Sequence, residues 1–275
     1  MNTQPVLAFI GAGNMARAII GGLLSNGYPA DKIWASEPNA ERLTDLADQG
    51  LKTTTDNNQA VSAANVVVLA VKPQVLKTVS LAIAPSVQQN QPLIVSVAAG
   101  IMTDSMERWL GGNTAIVRCM PNTPSLVQTG ASGLFANPHV KAEQKQQAET
   151  VLKAAGITLW VEEETQLDAV TAVSGSGPAY FFLVMESMID AGKKLGLTEN
   201  TATQLTLQTA LGAAKMAQSS DVAPDELRRR VTSPNGTTEQ AILNFIDGGL
   251  PELFDKAMKA CNDRSEELAV ELGKD

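Results

Sequence analysis

Short, unbroken apolar runs alternate with longer amphipathic segments through the first half of the chain. Residues 6–10, 33–36, 66–71, 93–98 and 115–120 form the runs, and the first ends at a glycine. Their β-branched content and lack of alternation predict strands covered on both faces. Helical patterns lie between them, for example over 15–24 and 41–48. Strand–helix alternation at this spacing predicts a doubly wound, parallel α/β sheet. Residues 130–136 and 157–161 read as further strands, with a helix over 141–155 between them. After about residue 163 the strand-like runs stop, and helical segments follow with breaks at Gly196, Pro224, Pro234 and Gly248-Gly249. Thr198 is a predicted N-cap, as is Ser233 or Asn235 further on. Residues 210–217 are rich in small side chains, which let helix axes approach closely. The expected organisation is an α/β domain over 1–163 and an all-helical domain over 164–275.

Composition narrows the chemistry. The 275 residues hold 29 acidic and 21 basic side chains, a net charge of -8, which argues against a nucleic-acid backbone binder. The single histidine, His139, and the two cysteines, Cys119 and Cys261, are far apart, and no metal-ligand spacing is present. No metal and no histidine-based hydrolase is expected. Two cysteines fit a reducing compartment. The chain starts without a basic leader, and no apolar stretch approaches the ~20 residues that span a bilayer. A cytoplasmic protein without a membrane partner is the expectation.

Gly11-Ala12-Gly13-Asn14-Met15-Ala16 ends the first strand and opens a helix. Gly11 permits a tight turn, Gly13 lets a pyrophosphate approach the backbone, and Ala16 allows close helix–strand packing. The helix start offers free N–H groups to phosphates, so a Rossmann-type dinucleotide site is expected. At the end of the second strand, Ser36 occupies the position where NAD enzymes place a carboxylate, and alternation would turn the adjacent Glu37 to the opposite face. With Asn39 and Arg42 nearby, the pattern favours NADPH, NADH remaining usable. Two later strand ends, Ala70-Val71-Lys72-Pro73 and Ala98-Ala99-Gly100, fall in the crevice where open α/β sheets bind ligands. Pro73 equally suits the first turn of a helix. Further on, Pro234 fixes the entry to a loop whose Gly236, Thr237 and Thr238 lead into a helical pattern. Free N–H groups at such a start make a carboxylate site, although capping by Ser233, Asn235 or Thr237 would explain the loop without a ligand.

Five strings taken together are unusual: residues 9–15, 70–73, Met120-Pro121-Asn122-Thr123-Pro124, residues 174–180, and residues 231–239. In their order and spacing the chain resembles pyrroline-5-carboxylate reductases nearly end to end. It departs from the usual Ser-Pro-Gly-Gly of that family by carrying Asn235 at the first glycine position, where Asn tolerates left-handed angles better than most residues. The resemblance implies hydride transfer from NADPH to the cyclic imine 1-pyrroline-5-carboxylate, giving L-proline. It implies Asn14, Met15, Asn57 and Asn122 on the cofactor side. Val231, Ser233, Gly236, Thr237 and Thr238 would frame the substrate, and the Thr238 hydroxyl would orient the ring nitrogen. It implies a dimer, or an assembly of dimers, built on the helical half. Two other readings fit the same pattern: a β-hydroxyacid dehydrogenase with Lys72 as acid, and a dinucleotide sensor without chemistry. Tyr180, Phe181 and Phe182 are expected to be core.

Overall fold

The computed structural model describes residues 4–274. Among these, eight strands form one sheet in the order β3-β2-β1-β4-β5-β6-β7-β8. The strands are β1 (Leu7–Ile10), β2 (Ile33–Ser36), β3 (Lys52–Thr54), β4 (Val66–Leu69), β5 (Leu93–Ser96), β6 (Ile116–Met120), β7 (Gly130–Ala136) and β8 (Gly156–Trp160). β1 to β6 are parallel, β7 runs antiparallel to β6, and β8 is parallel to β7. The doubly wound expectation holds for the first six strands, and the antiparallel β6–β7 step corrects it beyond them. Edge strand β3, Lys-Thr-Thr, was not foreseen, because three partly exposed polar residues carry no apolar run.

Register explains the apolar runs. Leu7 and Phe9 of β1, with Val66 and Val68 of β4, are buried in one core layer; Ala8 and Ile10, with Val67 and Leu69, are buried in the other. Alternate residues therefore face opposite layers, and both layers are covered by helices. The first layer packs on Ile19, Ile20 and Leu23 of α1 (Asn14–Ser25). The second packs on α3 (Asn57–Ala63), α4 (Pro73–Asn90) and α5 (Thr103–Trp109), through Val61, Leu76, Ile83 and Met106. Each such side chain contributes roughly 1.5–3 kcal/mol on burial. The pattern at 41–48 becomes a 3-10 turn over Ala40–Leu43 followed by α2 (Thr44–Asp48), and 141–155 becomes α6 (Ala142–Lys153).

The second half is helical: α7 (Gln166–Val170), a π-helical turn over Thr171–Gly175, α8 (Gly177–Lys194), α9 (Glu199–Gln218), α10 (Pro224–Arg230), α11 (Thr237–Asp247) and α12 (Leu250–Leu272). Thr198 caps α9, accepting from the Thr201 N–H. Contacts divide the chain into Met1–Ser176 with Cys261–Asp275, and Gly177–Ala260. The end of α12 thus belongs to the unit that carries the sheet.

Within Gly177–Ala260, α8 and α9 pack as a pair, yet Phe181, Phe182 and Leu183 of α8 are each more than 60% exposed. This corrects the expectation that Phe181 and Phe182 are core: the chain alone does not cover them. The helical run Gln166–Lys194 is also long and apolar enough, by length and composition, to cross a membrane, which no single apolar stretch in the sequence suggested.

Candidate functional site

The sheet changes winding direction between β1 and β4, and the loops leaving their C-terminal ends open a crevice there. Gly11 sits at φ +96°, its N–H donating to the Ser36 carbonyl at 2.8 Å. A Cβ on Gly11 would lie 2.7 Å from the Ala70 carbonyl oxygen, so β1 and β4 approach too closely there for any side chain. Gly13 has the opposite surroundings. A Cβ built on it meets nothing within 4 Å, and as the N-cap of α1 it supplies no capping side chain. The open space and the uncapped first turn at Asn14 and Met15 match what a pyrophosphate requires.

Ser36 and Asn57 meet at the edge of this crevice: the buried Ser36 hydroxyl donates to Asn57 Oδ1 at 2.6 Å. Glu37 does not turn away. Its Oε2 accepts from the Ala12 N–H at 3.2 Å, and its Oε1 lies 3.4 Å from Arg42 Nη1. The expected orientation is corrected because β2 ends at Ser36; beyond it the chain bends and strand alternation no longer fixes the side chain.

At the next strand end, Ala70 and Val71 are half-buried, exposed Lys72 is the N-cap of α4, and Pro73 is its first residue. After β5, Ala98 is buried and Ala99 exposed, while Gly100 lies under the C-terminal helix, 3.4 Å from Leu272 Cδ1 by the position its Cβ would take. After β6, Asn122 is buried with its side-chain amide committed at both ends. Nδ2 donates to the Ser174 carbonyl at 3.0 Å, and Oδ1 accepts from the Ala131 N–H at 2.9 Å. Asn122 thereby ties the π-helical turn to the mouth of the sheet; such turns are frequent at functional sites.

Sequence reasoning missed two buried polar ties in this unit. Glu164 accepts from the Thr103 N–H and hydroxyl at 2.7 and 2.6 Å and pairs with Arg118 at 3.2 Å. Asp168 accepts from Ser265 Oγ at 2.6 Å. A carboxylate just outside an apolar strand was the only local signal, and partners 46 to 97 residues away leave none. Cys119 of β6 is buried in the first core layer, and desolvation pushes its thiol up to about 12, against a smaller opposing effect from Ser132. His139 stands in a loop, its ring within 2.9 Å of Glu107 Oε1.

The loop before α11 lies in the other unit. Asn235 adopts φ +56°, the left-handed angle that its amide side chain tolerates, and its N–H donates to Glu239 Oε2 at 2.7 Å. The N-cap of α11 is Gly236, with no side-chain cap from Ser233, Asn235 or Thr237. Val231, Ser233, Thr237 and Thr238 are exposed and Gly236 half-exposed.

Residues 164–268 match the family model for pyrroline-5-carboxylate reductase dimerisation, and residues 6–100 match that of NADP oxidoreductase, coenzyme F420-dependent. The chain is 57% identical to the pyrroline-5-carboxylate reductase of Pseudomonas aeruginosa, over 98% of this chain and 99% of the relative. The chain belongs to the pyrroline-5-carboxylate reductase family. A solved pyrroline-5-carboxylate reductase from Coxiella burnetii is 46% identical and superposes with a TM-score of 0.94, covering 97% of this chain and 99% of that one. The Plasmodium falciparum pyrroline carboxylate reductase, solved with NADP bound, is 28% identical with a TM-score of 0.85, covering 96% of this chain and 98% of its own. The dimerisation match spans α8, the helix that carries the exposed Phe181, Phe182 and Leu183.

Proposed function

We propose that the chain reduces 1-pyrroline-5-carboxylate to L-proline with NAD(P)H, the last step of proline biosynthesis. The match along 98% of the chain to a reductase of this name, with the glycine loop intact, is the observation that carries this reading. When bound, the nicotinamide cofactor supplies a hydride to C5 of the imine. Gly11 makes the turn into the phosphate cradle, and Gly13, Asn14 and Met15 form it, where uncapped N–H groups and open space replace a cationic pocket. Ser36 and Asn57 form the ribose side, and residues 70–73 and 98–100 the walls of the crevice. Asn122 acts by positioning, since both ends of its amide are spent on the protein.

In the 231–238 loop, Val231 and Ser233 frame the substrate. The uncapped N–H groups behind Gly236, with the Thr237 hydroxyl, hold its carboxylate. Thr238 donates to or accepts from the ring nitrogen, whose protonated form is already electrophilic. Alignment is then the main task left to the protein, consistent with a site that has no histidine. The assignment of 1–163 to cofactor binding and 164–275 to substrate and dimerisation, an assembly of dimers, and a cytoplasmic location without nucleic-acid or membrane partners belong to the same reading. Purified chain mixed with NADPH and pyrroline-5-carboxylate should lose absorbance at the reduced-nicotinamide band and form proline. No oxidation with the imine, but reduction of NADP by hydroxyacids, would replace the reading by the dehydrogenase.

A further inference from the structure

The ribose end of the crevice carries a carboxylate. Glu37 follows the last residue of β2 and is 25 residues beyond Ala12, whose N–H it accepts. Its side chain is only 15% exposed, and its backbone N–H is tied to the Thr54 carbonyl of β3 at 3.2 Å, so the group is held in place from two sides. A carboxylate at this point of a dinucleotide fold accepts hydrogen bonds from a ribose diol and repels a 2′-phosphate.

The cations that would offset a 2′-phosphate are already engaged. Arg17 Nε donates to the Ala12 carbonyl at 3.0 Å, and its guanidinium pairs with Asp45 and donates to the Arg42 carbonyl. Arg42 faces Glu37 itself. Two arginines and two carboxylates leave the patch neutral. Of the two uncharged candidates, Ser36 spends its hydroxyl on Asn57, and Asn39 is turned toward its own helix start, its Oδ1 accepting from the Glu41 N–H at 3.0 Å.

We propose that Glu37 is the residue that sets the balance between NADH and NADPH, admitting the 2′,3′-diol of NADH and opposing the 2′-phosphate of NADPH, with Arg42 as the counter-charge through which both are used. The proposal rests on the dinucleotide reading of the crevice and goes beyond it by assigning selectivity to one side chain.

The test is direct titration of NADH and NADPH into the full-length chain, followed by protein fluorescence, with kcat/KM for each nucleotide alongside. Glu37→Gln keeps the shape and an acceptor for the Ala12 N–H while removing the charge. It should weaken NADH about tenfold and tighten NADPH several-fold, moving their ratio by more than about thirtyfold. Arg42→Ala, at an exposed side chain, should move the ratio the other way by weakening NADPH more than NADH; it keeps the test open if Glu37→Gln does not fold. A ratio that stays within about twofold in every folded variant overturns the role of Glu37 and leaves the reductase reading standing. Failure of the unmodified chain to bind either nucleotide overturns both.

Discussion

Ser265 donates its hydroxyl to Asp168 at 2.6 Å across 97 residues of sequence, and both side chains are more than 90% buried. This bond fastens the end of α12 to α7, beside the π-helical turn that Asn122 also holds. Removing the hydroxyl leaves a buried carboxylate oxygen without its donor, which costs the desolvation of a charged group and not merely one hydrogen bond. Ser265→Ala should therefore destabilise the fold by about 2–3 kcal/mol in chemical denaturation. A loss below about 0.5 kcal/mol would mean that water replaces the hydroxyl and that the remaining contacts of α12, such as Leu272 against Gly100, hold it.

The two glycines of the first loop separate folding from binding. Gly11→Ala places a methyl 2.7 Å from the Ala70 carbonyl at a positive φ, and should lose about 2 kcal/mol or more of stability. Gly13→Ala meets no protein atom, so the melting temperature should stay nearly unchanged while nucleotide affinity falls about tenfold or more. Calorimetric melting and nucleotide titration on the same two variants check both halves. Unaltered affinity in Gly13→Ala would remove the phosphate cradle from this loop.

Lys72 and Thr238 distinguish the reductase from the dehydrogenase. A protonated imine needs orientation more than an acid, so Thr238→Ala should lower kcat with pyrroline-5-carboxylate by roughly ten- to a hundredfold. Lys72→Met, at an exposed helix start, should act chiefly on cofactor KM. Abolition of turnover by Lys72→Met with Thr238→Ala unaffected would reverse the assignment.

Much of this was legible in the sequence where burial leaves a local trace. The strands at 6–10, 66–71 and 93–98 stood out because both of their faces are covered, and the glycine loop because a turn, a close approach and a helix start fall within six residues. β3 was silent because an edge strand of Lys-Thr-Thr has no apolar face to show. The reversal of β7 was equally silent, since strand direction does not alter the hydrophobic pattern. Glu37 escapes the pattern because strand alternation ends with β2 at Ser36, one residue before it. The clasp from Asn122 to Ser174, and that from Asp168 to Ser265, could not be foreseen, for a polar residue does not advertise a partner 52 or 97 positions away.

Cys119 makes the alkaline limit of the fold predictable. Burial holds its thiol protonated up to about 12, whereas in the unfolded chain it ionises near 8.5. The folded state thus binds more protons than the unfolded state between these values, and stability must fall as pH rises through that window. The slope from this one group approaches about 1.4 kcal/mol per pH unit once the unfolded thiol is ionised, and is absent below about pH 8. Tyr28, also raised to about 12 by burial, adds to the slope only from about pH 9.5 upward. Cys119→Ala should flatten the stability profile between about pH 8.5 and 9.5, where Cys119 outweighs Tyr28, at the cost of a small constant loss from the missing sulfur. Denaturation midpoints measured across pH 7–11 on both proteins decide it: parallel curves would show that the thiol ionises without unfolding, and that β6 admits water behind it.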